Sequence, residues 1–186
     1  MPTIYDFRRG LKIEINGEPF VIVDYDHVKP GKGAAFVRTR IKSLVTGNTR
    51  EQTFRSSDQV DSPDVEDRKM QYLYREGEKY WFMDNETFEQ SFLTEDQVGK
   101  SKDFLKENIN VSVIYFNKKP IAVELPNFVE LKIAKTQPGV RGDTATGGSK
   151  PAVLETGATV QVPLFLNEGD IIKIDTRTGI YIERVK

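Results

Sequence analysis

Cysteine is absent from this 186-residue chain. Its absence excludes disulfides, thiolate metal sites and a cysteine nucleophile. The single histidine, His27, excludes a His-His metal site and any mechanism that draws two imidazoles from one chain. No apolar run approaches the ~20 residues of a membrane-spanning helix. The N-terminal MPTIYDFRRG lacks the apolar centre of a secretory signal. The formal net charge is only -1, so the molecule as a whole is no polycation. Apolar residues make up 38%, which suits several small cores better than one thick layered domain. These absences predict a soluble cytoplasmic protein with no membrane partner, no metal and no cofactor.

What is there is a series of short alternating segments. Leu11, Ile13 and Ile15 alternate with polar residues, and Asn16-Gly17 is a strong hairpin signal before a return strand at 20–25. Val37, Thr39 and Ile41 alternate with Phe36, Arg38, Arg40 and Lys42, so each set shares one face of a strand. Further strands are predicted at 50–54, 69–75, 79–83, 111–116, 121–125, 128–134, 159–162, 171–175 and 180–184. Thr94 followed by Gln97 reads as a capping box. The expected helical content is a short helix there and another near 102–107. Residues 136–151 read as one long Gly/Thr/Pro-rich loop, and loops of that length are usually functional or mobile.

Pro63 and Pro126 interrupt the pattern, which predicts three small β-barrels in series at 1–63, 64–126 and 127–186. Charge differs between the pieces. Residues 1–60 carry net +3, residues 61–126 net -5 and residues 127–186 net +1.

Two stretches stand out chemically. In V-K-P-G-K-G-A-A-F-V-R, a Pro-Gly turn places Lys32 between Gly31 and Gly33, with Lys29 and Pro30 before it. A lysine so flanked is accessible from both sides, to a phosphate backbone or to a modifying enzyme. From residue 29 to 42 there are five basic residues and no acid. An alternating basic face with Phe36 beside Arg38, Arg40 and Lys42 suits RNA, the cations neutralising phosphates and the ring offering a stacking platform. A solvated strand face would use the same residues, and the missing acids favour a polyanion. A phosphate-binding P-loop is excluded, because no Ser or Thr follows Lys32. The second stretch, P-G-V-R-G-D-T-A-T-G-G-S-K-P at 138–151, is dense in small residues that let backbone N–H groups approach a ligand. The acidic middle third reads as a surface turned away from RNA or a face for a basic partner. No nucleophile-base set is visible, so an enzyme is not expected. A general single-stranded RNA-binding protein remains compatible with these residues alone.

Longer motifs narrow the reading. K-P-G-K-G at 29–33, M-D-N-E-T-F-E-Q at 83–90, P-N-F-V-E-L at 126–131, the loop at 138–152, V-P-L-F at 162–165 and D-T-R-T-G-I-Y-I-E-R at 175–184 resemble the bacterial elongation factor P family along the whole chain. The resemblance implies an SH3/KOW-like N-terminal domain followed by two OB-fold domains, arranged as an L. It implies a monomeric, cytoplasmic translation factor on the 70S ribosome that contacts rRNA and the P-site tRNA and relieves stalling at consecutive prolines. Lys32 would be the candidate for covalent modification by a lysine-modifying enzyme, with Lys29, Pro30, Gly31 and Gly33 shaping its loop. Gly142, Asp143 and Thr144 would face the E-site mRNA. Tyr181 and Arg184 would contact tRNA and the small subunit.

Overall fold

Alternation and turn chemistry act together from the first hairpin. The computed structural model describes residues 2–29, 31, 35–138 and 148–185. Strands β1 (Lys12–Ile15) and β2 (Glu18–Val28) pair antiparallel, with Ile15 opposite Glu18. Asn16 and Gly17 between them have φ of 53° and 79°, the two positive angles that a type I′ turn requires. β3 (Phe36–Ser43) and β4 (Thr49–Arg55) complete a sheet in the order β1-β2-β3-β4. The inward residues Ile13, Phe20, Ile22, Val37, Ile41 and Phe54 form its core. Isolated bridges from Thr3 to Gln59 and from Glu14 to Asp61 join the flanking segments to it.

The middle sheet contains β5 (Val65–Glu76), β6 (Lys79–Asp84), β7 (Gln90–Thr94), β8 (Asn110–Phe116) and β9 (Lys119–Glu124), in the order β7-β6-β5-β8-β9. The last sheet contains β10 (Phe128–Thr136), β11 (Ser149–Leu154), β12 (Thr159–Pro163), β13 (Ile171–Asp175) and β14 (Ile180–Val185), in the order β12-β11-β10-β13-β14. Leu131, Ile133, Leu154, Leu166 and Ile172 fill its interior. The all-β expectation therefore holds, with three curled sheets. The backbone contacts group into two compact units, Met1–Arg68 with Val113–Ala122, and Lys69–Ser112 with Val123–Lys186.

The capping box at Thr94 is present. Gln97 N–H donates to Thr94 Oγ1 at 3.4 Å, and Thr94 N–H donates to Gln97 Oε1 at 2.9 Å. The α-helix it starts, Glu95–Val98, is one turn long, because Gly99 follows at φ 55°. A 3-10 segment, Gly99–Phe104, takes over. The helix expected near 102–107 is thus displaced toward the N-terminus, since Leu105 is already extended and buried. Three elements escape sequence patterning: β7, β11 and the 3-10 turn Ile4–Asp6. β7 turns only Leu93 fully inward, so its own period is weak. Its identity as a strand comes from pairing with β6. The loop expected over 136–151 is corrected at both ends, because Thr136 closes β10 and Ser149 opens β11; its centre, 139–147, lies outside the described residues.

Candidate functional site

The longest hairpin of the first sheet builds the first candidate surface. β2 and β3 remain paired from Phe20 opposite Ser43 to Val28 opposite Phe36. One face of β3 carries Val37, Thr39 and Ile41 into the core, so the period of two sends Phe36, Arg38, Arg40 and Lys42 outward. The three cations are exposed and Phe36 is half-buried. Among the described residues, no ion pair within 4.0 Å involves Arg38, Arg40 or Lys42. Lys29 and Gly31 lie exposed at the end of this hairpin. Pro30, Lys32 and Gly33 lie outside the described residues.

Strand pairing adds what the linear run of cations hides. Asp26 lies opposite Arg38, and Arg40 sits between Asp24 on β2 and Glu51 on β4. These residues line a shallow groove of 170 Å³. The Arg9 side chain bonds Asp24 at 2.7 Å and, with its charge, holds that carboxyl below the ordinary carboxylate range. Asp24 is therefore occupied. Arg55, opposite Phe36, adds a cation to the same outer face. The balance stays basic: Arg38, Arg40, Lys42 and Arg55 against Asp26 and Glu51. His27 lies within β2 with its ring edge-to-face on Tyr25 at 5.5 Å.

The second candidate region is on the last sheet. Gly142, Asp143 and Thr144 lie outside the described residues, but both ends of their loop are defined. The glycine-dense stretch predicts a loop at Lys150. That residue is instead part of β11, 5% exposed, and its Nζ donates to the Gln137 carbonyl at 2.6 Å. Thr136 Oγ1 donates to the Pro151 carbonyl at 3.0 Å. A buried ammonium and a hydroxyl thus join the two strands from which the loop emerges. The signal was present in S-K-P-A-V-L, where Lys150, Ala152 and Leu154 alternate like one inward face.

Tyr181 and Arg184 both sit on β14. Tyr181 is half-buried against the core of the last sheet, and Arg184 is exposed. A bulge in the pairing with β13 separates Tyr181, opposite Ile174, from Arg184, opposite Ile172. The turn before β14 is built on Asp175, which is 8% exposed. Its carboxylate accepts from Arg177 N, Nε and Nη2 at 2.9, 3.0 and 2.6 Å. The Arg177 side-chain bonds are the chief cause holding the Asp175 carboxyl below its ordinary range. Among the described residues there is no His/Cys/Asp/Glu group that could hold a metal ion, and no helix long and apolar enough to cross a membrane.

Comparison with known proteins covers the whole chain. Residues 3–60 match the model described as "Elongation factor P (EF-P) KOW-like domain", residues 65–123 the "Elongation factor P (EF-P) OB domain", and residues 129–184 "Elongation factor P, C-terminal". The chain is 56% identical over 186 residues to an elongation factor P of Natranaerobius thermophilus, covering 100% of this chain and 99% of that one. It is 56% identical over 185 residues to that of Alkaliphilus oremlandii, covering 100% of both. Among solved structures it resembles eukaryotic translation initiation factor 5A from Methanococcus jannaschii. That match has a TM-score of 0.54 and 25% identity, over 66% of this chain and 92% of that one.

Proposed function

Because the chain belongs to the elongation factor P family, whose members are translation factors rather than enzymes, we propose that it binds the 70S ribosome between the P and E sites and acts there by positioning. The observation that carries this reading is the outward row Phe36, Arg38, Arg40 and Lys42, whose cations have no ion pair among the described residues. Each cation is free to neutralise a phosphate of rRNA or of the P-site tRNA, and Phe36 offers an apolar edge to a base. The chain between β2 and β3 carries K-P-G-K-G, which is directed at the CCA end of the peptidyl-tRNA. Lys32 is its reaching group and the substrate of a lysine-modifying enzyme.

The chemistry needs no acid, base or nucleophile from the factor. Proline has a fixed φ and a constrained amine, so it reacts poorly as donor and acceptor. Holding the CCA end in a reactive pose lowers the orientational part of the barrier to peptide-bond formation. That is how the factor relieves stalling at consecutive prolines. Gly142, Asp143 and Thr144 serve the E-site mRNA side, and Tyr181 and Arg184 serve tRNA and the small subunit. The half-burial of Tyr181 anchors β14, which supports that role for its exposed neighbour Arg184. The factor works in the cytoplasm as a monomer of three domains, 1–63, 64–126 and 127–186. Confinement of β1–β4, β5–β9 and β10–β14 to those ranges supports the division.

The test is synthesis of a Pro-Pro-Pro reporter in a strain lacking its own factor. Lys32→Ala is expected to lose the rescue selectively for that reporter. Full rescue by the variant would remove Lys32 from the mechanism. A protein that binds single-stranded RNA without ribosomal preference would also fail to favour ribosomes that carry P-site tRNA and an empty E site.

A further inference from the structure

Strands β5, β6 and β7 turn one face to their core through Tyr72, Tyr80, Phe82 and Leu93, and the other face to solvent. On that outer face, pairing puts Tyr74 opposite Trp81 and Trp81 opposite Phe92. Three rings therefore form one row across three strands. Tyr74 stacks on Trp81 at 6.3 Å with 30° between planes, and Trp81 meets Phe92 at 5.3 Å. Tyr74 is 44% exposed and Phe92 37%.

A fourth ring is displayed at the turn between β6 and β7. Phe88 is 69% exposed and has φ of 60°, a left-handed conformation that is unfavourable for a bulky side chain. Buried Asp84 holds it there. Its Oδ1 accepts from Glu86 N–H at 2.8 Å and Thr87 N–H at 3.1 Å, and its carbonyl accepts from Phe88 N–H at 3.0 Å. The turn that Asp84 builds therefore keeps this ring in solvent in a backbone conformation that bulky residues rarely adopt.

The charge around these rings selects the partner. Residues 74–98 contain seven acids and two bases, and Glu76, Glu78, Glu86, Glu89 and Asp96 are exposed. Glu76 accepts from the Trp81 indole N–H at 3.1 Å, which fixes the ring beside a carboxylate. The face already holds a cation, since Lys79 Nζ lies 4.6 Å over the Phe92 ring. Aromatic faces attract cations, Trp most strongly. Phosphates would meet the excess of carboxylates and be repelled. We propose that the outer face of β5-β6-β7, with Phe88 at its edge, docks a lysine- and arginine-rich protein segment. Its cationic side chains lie over Tyr74, Trp81 and Phe88 and pair with Glu76 and Glu78.

Trp81 is the chain's single tryptophan, so its emission reports on this face alone. The full chain is titrated with a short oligoarginine peptide and, separately, with oligouridine RNA. A saturable change in Trp81 emission is expected with the peptide and none with the RNA. Tyr74→Ser and Phe88→Ser, both at exposed positions, each weaken the peptide by about three- to fivefold, as expected for loss of one cation–π contact. Glu76→Gln weakens it further at low salt. Unchanged thermal melting shows that the variants remain folded. No saturable change with the peptide overturns the proposal, and so does a change produced by RNA. Sensitivity to Glu76→Gln with none to Tyr74→Ser or Phe88→Ser also overturns it, because charge alone would then be at work.

Discussion

Removing the outward cations of β3 tests the functional reading most directly. The perturbation is Arg38→Ala, Arg40→Ala and Lys42→Ala, singly and together. All three side chains are exposed and none belongs to the core, so the fold is expected to persist. Each phosphate neutralised by a cation contributes about 0.7–0.9 to the slope of log affinity against log salt concentration. At ~0.1 M salt that is roughly five- to eightfold in affinity for each cation, and roughly 130- to 500-fold for the three together. The difference closes toward ~1 M salt, where counterion release no longer drives association. The flanking carboxylates act in the opposite sense. Asp26→Asn and Glu51→Gln are expected to raise affinity while leaving the slope nearly unchanged. The assay is binding to ribosomes that carry P-site tRNA and an empty E site, followed across a potassium chloride series. If the triple variant loses affinity with its slope intact, β3 does not touch phosphate. If it loses neither, the row is only a solvated strand face.

Three further outcomes follow from the same geometry. Arg177 bonding depresses the Asp175 carboxyl in the folded chain, so its stabilising effect is present above the unfolded value of about 3.9 and is lost as pH falls through the lower folded value. Asp175→Asn should flatten the acid limb of melting temperature against pH, and an unchanged acid limb would remove Asp175 from it. Leu131 is 0% exposed, and Leu131→Ala should cost about 2–5 kcal/mol. The urea midpoint should fall with the denaturant slope unchanged; a loss within experimental error would mean the last core collapses around the gap. Lys150→Ala removes the 2.6 Å ammonium donor from the Gln137 carbonyl, and a hydrogen bond to a charged group contributes about 1.5–3 kcal/mol. Lys150→Met keeps the apolar stem and should recover part of that loss, so equal destabilisation by both variants would contradict the packing argument.

Much of this could be read along one strand at a time. Asn16-Gly17 announced its hairpin because two adjacent residues must accept positive φ, and those angles are present. Thr94 and Gln97 announced their capping box because its four bonding groups lie within four residues. The alternation of β3 placed Arg38, Arg40 and Lys42 outward because the pleat repeats every two residues. β7 and Lys150 were illegible for the opposite reason. β7 has little period of its own, and a lysine inside a glycine-rich stretch looks solvated until β10 and β12 close over it.

The all-β character, the turn positions, the outward row of β3 and the family are legible in the linear chain. Each depends on neighbours along the chain or on motifs that are local strings. Strand order and register decided instead that Asp26, Asp24 and Glu51 flank the cations, that Lys150 is buried, and that Tyr74, Trp81 and Phe92 line up. Those facts arise from register between strands distant in sequence. Electrostatic environment and ring stacking depend on separation in space, which strand order and register supply and local periodicity does not.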